Sequence, residues 1–157
     1  MTRVQMLQSL IGSTLIILLV IGCGGGPSPQ PGAAFSGPME ISSNGMGSNV
    51  TADGGDIAFT VTEDGAAIES TTYNLENAVC TNDEKTIEVQ GAWSIGVQSF
   101  PPPPIENGSF EIVASDGVLI KGNFTSATEA NGTIDISSNE GNLVCDFGTW
   151  NWTAIVK

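Results

Sequence analysis

Near its C-terminus the chain reads Thr149-Trp150-Asn151-Trp152-Thr153-Ala154-Ile155-Val156, a stretch in which apolar and polar side chains alternate. Alternation with a period of two places successive side chains on opposite faces of an extended strand. One face carries Trp150, Trp152, Ala154 and Val156, and the other carries Asn151 and Thr153. The pattern predicts a strand with one buried and one solvated face, which is typical of antiparallel sheets.

The same alternation recurs upstream, and no segment after residue 23 shows a convincing helical period. It covers residues 57–61, 87–97, 110–112, 118–125 and 134–136. Asn-Gly and Asp-Gly pairs, which accept positive φ cheaply, predict hairpin turns between these segments. The pairs begin at residues 44, 53, 64, 107, 116 and 131. Together these signals predict an all-β domain, either an antiparallel β-sandwich or an up-and-down barrel, of about eight strands.

Two segments depart from the pattern. Residues 67–75 are rich in Ser and Thr and weakly alternating, which predicts an edge strand. Residues 100–104 contain four consecutive prolines, which cannot join the interior of a sheet. They are predicted to form an extended connection between two halves of the domain.

The N-terminal region has a different character. Residues 10–22 form an apolar run that is shorter than the about 20 residues needed to span a bilayer. Its length suits the core of a signal peptide. The run ends in Val20-Ile21-Gly22-Cys23, which resembles the lipobox of bacterial lipoproteins. The resemblance implies cleavage after residue 22, a lipid on Cys23, and anchoring at the outer membrane or the outer face of the cell membrane.

Domain boundaries follow from these features. Residues 1–22 are predicted to be the signal peptide, 23–38 a lipidated cysteine with a Gly/Pro linker, and 39–157 the all-β domain. Gly gives the linker flexibility and Pro gives it extension, so that it would reach roughly 20 Å from the membrane.

Charge narrows the function classes. The chain after Cys23 contains three lysines and 17 carboxylates, which gives it a net charge of −14. Nucleic-acid binding needs a basic patch and is not expected. An anionic membrane would repel the domain, so lipid contact is expected through the anchor on Cys23. The chain has no His, and Arg3 precedes the predicted cleavage site. Ser-His-Asp catalysis, Cys-His catalysis and imidazole zinc sites are therefore excluded, and the protein is predicted not to be an enzyme.

Cys80 and Cys145 are the remaining cysteines. In an exported domain two cysteines are expected to pair, and a loop of about 65 residues gives about 4 kcal/mol of stabilisation in the chain-entropy estimate. Two unpaired buried thiols are the alternative.

The second half of the chain carries a further resemblance. Its characteristic runs are Asn107-Gly108-Ser109-Phe110, residues 120–124, residues 130–134, Cys145 and residues 149–154. This succession resembles a recurring small β domain of exported bacterial proteins. The resemblance implies a fold and export, and it implies no particular chemistry.

Two groups of residues are candidate binding sites. Trp93, Trp150 and Trp152 could stack on sugars, although their places in the alternation favour the core. The acidic turns could place oxygen ligands around calcium, although Asp and Asn also favour turns for local reasons. The turn carboxylates are Asp53, Asp56, Asp83 and Glu84.

The sequence therefore predicts an envelope-anchored lipoprotein whose β domain binds a protein or polysaccharide partner without catalysis, and without a required cofactor. One alternative is a calcium-assisted carbohydrate-binding module. Another is a small hydrolase that uses carboxylates alone, for which Glu88 and Glu111 lie on polar strand faces.

Overall fold

A computed structural model describes residues 25–42, 45–82, 85–89, 95–97, 101–114, 117–140 and 143–157. Within these ranges the chain forms eleven strands, all paired antiparallel, and no helix. The all-β prediction is confirmed. The strands are β1 Ala34–Ile41, β2 Val50–Thr51, β3 Gly54–Val61, β4 Ile68–Glu76, β5 Ala78–Thr81, β6 Thr86–Val89, β7 Ile95–Val97, β8 Ser109–Val113, β9 Val118–Phe124, β10 Glu129–Glu140 and β11 Leu143–Val156. Across the described ranges, no helix is long and apolar enough to cross a membrane.

Eight strands form one curled sheet in the order β7-β4-β3-β1-β11-β10-β9-β8, and β2-β5-β6 form a small second sheet. The curl is visible in one contact. Phe59 on β3 and Phe110 on β8 are five strands apart in the sheet, yet their ring centroids are 5.4 Å apart. The large sheet therefore wraps around its own core as a half-barrel.

Five rings at the centre of this core form the aromatic cluster. Its members, each at most 5% exposed, are Phe35, Phe59, Phe110, Phe124 and Trp152. The Phe35 and Phe59 rings stack at 4.9 Å, and the other contacts lie between 5.4 and 6.2 Å. Burying each large apolar side chain contributes roughly 1.5–3 kcal/mol, so this cluster is a main source of stability.

Glycines make the tight curl feasible. One row of paired residues crosses seven strands, and it consists of Phe110, Gly122, Gly132, Trp152, Met39, Gly55 and Leu75. A Cβ atom on Gly122 would lie 2.3 Å from the Phe110 ring, and one on Gly132 would lie 2.5 Å from the Trp152 ring. The rings occupy the space that side chains would need.

The predicted turn at Asn131-Gly132 is wrong, because this pair lies inside β10.

The hairpin of β10 and β11 is bent by a bulge. The register shifts between Ile136 and Ser137, which leaves Phe147 unpaired between Asp146 and Gly148. Gly148 has φ +72°, and Phe147 is buried. Such a bulge increases local twist and turns the end of the hairpin toward the small sheet.

A disulfide fastens the small sheet to this hairpin. Cys80 on β5 and Cys145 on β11 are bonded, with their Cα atoms 5.7 Å apart, which confirms the predicted pairing. The Asn49 side chain reinforces the junction, since its Nδ2 donates to the carbonyl oxygens of Thr81 at 3.1 Å and Val144 at 3.0 Å.

The linker predicted through residue 38 is too long. β1 begins at Ala34, Phe35 is 1% exposed, and residues 34–39 pair with β3. The folded domain therefore begins before residue 39. A rich Gly/Pro composition had indicated a flexible chain, but the apolar side chain of Phe35 fills a place in the core.

The prediction that residues 67–75 form an edge strand is wrong, because β4 is not at the edge of the large sheet. It lies between β3 and β7, and the proline segment extends its outer side. Ile68 N donates to Pro103 O at 2.9 Å, and Ile105 N donates to Ala66 O at 2.8 Å. The prolines supply carbonyl acceptors without needing donors, so the segment connects β7 and β8 as an extended chain along the sheet margin.

Candidate functional site

Two of the three tryptophans named as candidate ligand contacts, Trp150 and Trp152, lie on the inner face of the sheet. Trp150 and Trp152 are each 2% exposed, so neither can stack on a sugar, and that prediction is wrong for these two. Their alternation with exposed Asn151 and Thr153 drives them into the core. Trp93 lies outside the described residues.

Of the acidic turn residues, the structure describes Asp53 and Asp56, and these two form no metal site. Asp53 Oδ2 accepts from Asn77 Nδ2 at 2.8 Å, and Asp56 Oδ1 accepts from Asn74 Nδ2 at 2.6 Å. Each carboxylate is held by its own amide partner. No group of three His, Cys, Asp or Glu side chains that could hold a metal occurs in the described part of the chain. Asp83 and Glu84 lie outside that part.

Of the two carboxylates considered for hydrolysis, the structure describes the side chain of Glu111 alone. Glu111 on β8 faces Lys121 on β9, with Oε2 and Nζ 3.7 Å apart. The Glu88 side chain lies outside the described residues. A carboxylate that neutralises a neighbouring lysine suits a solvated strand face rather than general acid catalysis.

The outer side of β9, β10 and β11 carries a patch that sequence reasoning missed. We call it the amide–hydroxyl face, and its residues are Asn123, Asn131, Thr133, Asn151 and Thr153. Thr133 is half-buried and the other four are exposed. The signal in the sequence is the polar half of the alternation, but on a single strand this half does not differ from an ordinary solvated face.

Strand register brings these side chains together. Asn131 is paired with Asn123 on one side and with Thr153 on the other, and Thr133 is paired with Asn151. Directly paired residues have Cβ atoms about 5 Å apart, so the five side chains form a continuous surface. The buried rings of Phe124, Trp150 and Trp152 lie beneath it and hold the strands in place.

Two hollows lie at the ends of this face. The larger, of 560 Å³, lies at β8. Its lining includes Pro104, Glu106 and Asn107 on one side and Ser109, Lys121 and Asn123 on the other. Ser109 Oγ donates to Asn123 Oδ1 at 2.8 Å, which orients the amide. The smaller, of 230 Å³, lies at β1 and is lined by Glu40, Asn151 and Thr153, among others. The hollow at β8 and the hollow at β1 are separated by four strand spacings, roughly 19 Å, and the amide–hydroxyl face lies between them.

A third hollow, of 480 Å³, lies at the bulge and contains two carboxylates. Asp135 Oδ1 accepts a hydrogen bond from Thr149 Oγ1, and Asp146 Oδ1 accepts from Gly148 N at 3.0 Å. Both carboxylates therefore bond to groups at the bulge, which assigns them a local structural role.

No protein-family model matches this chain, and neither a curated protein nor a solved structure is significantly similar to it. Function is therefore inferred from the residues and their geometry.

Proposed function

We propose that this protein is an exported lipoprotein, anchored to the cell envelope through a lipid on Cys23. Its half-barrel domain is a non-catalytic module that binds a neutral polysaccharide at the cell surface. The observation that carries the binding proposal is the amide–hydroxyl face, with a hollow at each end.

The chemistry of the face suits sugar hydroxyl groups. Each asparagine amide offers both donors and an acceptor, and each threonine hydroxyl can do either. A net hydrogen bond contributes about 0.5–1.5 kcal/mol, so several along one polymer give useful affinity. Because the strands beneath are backed by buried rings, the backbone that carries these side chains does not need to become ordered on binding.

Charge favours a neutral polymer over an anionic one. The chain after Cys23 has a net charge of −14, which repels nucleic acid and acidic polysaccharides. Lys121, which is the strand partner of Thr133 and adjoins this face, forms an ion pair with Glu111. A neutral sugar chain is not repelled by this negative charge.

Export is supported by the Cys80–Cys145 disulfide. Disulfides form and persist in oxidising compartments outside the cytoplasm. The lipobox-like run at residues 20–23 supplies the means of anchoring.

Binding is tested with soluble fragments of neutral envelope polysaccharides, measured by calorimetric titration. The double variant Asn131→Ala/Asn151→Ala should weaken binding roughly tenfold or more, since two hydrogen-bonding amides are lost. Asn139→Ala is the matched control, because Asn139 is an exposed asparagine on β10 away from the face. Unchanged binding by the double variant would refute the assigned face. Binding of a protein partner that the double variant abolishes, with no polysaccharide bound, would make the module a protein-binding one.

The anchor is tested separately by mass spectrometry of the native protein. The mature chain should begin at Cys23 and carry the added mass of acyl chains, and Cys23→Ser should block both changes. A mature protein of unmodified mass would exclude the lipid anchor.

A further inference from the structure

Residues 25–33 pack across one end of the half-barrel. Gln30 N donates to Ala127 O at 2.8 Å, and Gly32 N donates to Thr62 O at 3.0 Å. Pro29 and Ala33 are buried. These contacts reach the β3–β4 turn at residues 62–67 and the β9–β10 turn at residues 125–128. We call this the anchor-side end.

The first described residues are seated most closely. A Cβ atom on Gly26 would lie 2.2 Å from Asn107 O, and one on Gly108 would lie 2.8 Å from Pro27 O. Two backbones can approach so closely because both positions are glycine. The segment therefore packs against the turn at residues 107–108, which also belongs to the anchor-side end.

This seating shortens the tether. Cys23 precedes Gly26 by three residues, and three Cα–Cα steps span at most about 11 Å. A flexible linker through residue 38 would allow the domain to rotate freely relative to the lipid. Because residues 25–33 pack on the domain, they do not allow this rotation. We infer that the anchor-side end faces the membrane surface and that the domain has a fixed orientation on that surface. This inference rests on the proposed lipid on Cys23.

The opposite end then points away from the lipid. β11 runs from Leu143 at the small sheet to Val156 at the anchor-side end, a rise of roughly 40 Å over its 14 residues. The small sheet and its disulfide lie at the distal end. The amide–hydroxyl face lies on the side of the barrel. Glu106 and Asn107, which line its larger hollow, belong to the anchor-side end, so a bound polymer would run beside the lipid surface.

The anchor-side end lies against the lipid rather than inside it. Four exposed carboxylates surround it, those of Glu63, Asp64, Glu106 and Glu129. Burying these charges in an apolar medium would be strongly unfavourable. The lipid surface that this end fits is therefore a zwitterionic headgroup layer, not an anionic one.

The test uses the full-length lipidated protein in phosphatidylcholine vesicles that contain a headgroup-attached nitroxide quencher. Ala127→Cys labels the anchor-side end and Thr86→Cys labels the distal end, and both positions are exposed. The fluorophore at residue 127 should be strongly quenched, and the one at residue 86 should not. Equal quenching at the two positions, or stronger quenching at residue 86, would overturn the orientation.

A second variant tests whether the packing of residues 25–33 causes the orientation of the domain. Gly26→Ala forces the segment off Asn107 and should narrow the difference in quenching. Gly54→Ala is the matched control, because its added Cβ meets Glu76 Oε2 at 3.6 Å and nothing nearer. A Gly26→Ala protein with the full difference would show that residues 25–33 do not set the orientation. Protein that carries no lipid and stays in solution would instead refute the anchor, whereas lipidated, vesicle-bound protein without the difference refutes the orientation alone.

Discussion

At the scale of single residues, Gly122 and Gly132 determine how closely the aromatic rings approach the sheet. They are paired with each other and lie between Phe110 and Trp152 in one row. Each ring lies over the neighbouring glycine and covers backbone that a side chain would otherwise cover. The glycines are therefore packing positions, and their role depends on a row of residues far apart in sequence.

Gly122→Ala should destabilise the domain by about 1–3 kcal/mol, because the new methyl group overlaps the buried Phe110 ring and the core must shift. The urea midpoint of unfolding measures this loss. Gly54→Ala, whose added Cβ makes only an ordinary contact with Glu76 Oε2 at 3.6 Å, should leave the midpoint nearly unchanged. Equal midpoints for the two variants would mean that the ring does not need the space above Gly122.

The two buried tryptophans should respond differently to the same truncation. Trp150 Nε1 donates to Phe147 O at 2.9 Å, whereas Trp152 Nε1 has no hydrogen-bond partner among the described residues. Both changes to Phe remove similar volume, but Trp150→Phe also leaves the bulge carbonyl unpaired. It should cost about 1–2 kcal/mol more than Trp152→Phe in urea unfolding. A larger loss for Trp152→Phe would contradict this account of the bulge.

At the scale of elements, the β3–β4 turn contains a carboxylate that stabilises it in the charged form. Asp64 Oδ1 accepts from Thr62 Oγ1 at 2.6 Å and from Ala66 N at 3.0 Å. The Thr62 hydroxyl, followed by the Ala66 N–H, lowers the pKa of Asp64 below its usual value. This turn also accepts the hydrogen bond from Gly32, so it helps to seat residues 25–33.

Because the folded pKa of Asp64 is lowered, its contribution is present above the usual aspartate pKa of about 3.9 and is lost as the pH falls through the folded value. Asp64→Asn should therefore be slightly less stable than the parent protein at neutral pH. The difference should shrink toward zero on acidification below the folded pKa. Urea midpoints of both proteins across this pH range measure it, and a difference independent of pH would exclude the charge as the cause.

The small sheet depends on the Cys80–Cys145 bond. It contains ten residues in three short strands and has few contacts with the half-barrel besides those of β11. Reduction, or the double change to Ala, should lower stability by about 4 kcal/mol in the chain-entropy estimate for a 65-residue separation. Calorimetric melting with and without reductant measures the loss. An unchanged melting temperature, with two thiols found on titration, would show that the pair is not bonded in solution.

The strands were predictable from sequence where burial is one-sided, and the sheet order was not. Residues 118–124 and 150–154 alternate cleanly because one face meets the core and the other meets water. β4 also alternates between buried and less buried positions, but its inner side includes Thr71, which weakens the hydrophobic signal. Which strands become neighbours depends on long-range pairing, such as that of β1 with β11, and no local pattern records it.

At the scale of the whole molecule, the half-barrel includes a segment whose composition indicated a tether. Residues 25–33 contain few apolar side chains, so their packing depends on backbone hydrogen bonds and on close approach at Gly26 and Gly108. Such contacts leave almost no signal in a single sequence. The candidate site was missed for a related reason, because Asn and Thr on separate strands form one continuous polar surface only when the strand register places them side by side.

The true boundary of the domain can be measured by truncation. A chain that begins at residue 39, the boundary predicted from composition, lacks Phe35 and the half of β1 that pairs with Phe59 and Val156. Loss of a buried Phe side chain alone costs about 3–5 kcal/mol, and domains of this size have about 5–15 kcal/mol of stability in total. This chain should therefore fail to unfold cooperatively, and its tryptophan emission should be red-shifted because Trp152 is no longer enclosed. A chain that begins at Gly25 keeps β1 and the seated segment, and it should melt cooperatively with protected emission. Cooperative unfolding of both chains at the same temperature would mean that β1 and residues 25–33 contribute nothing to the fold.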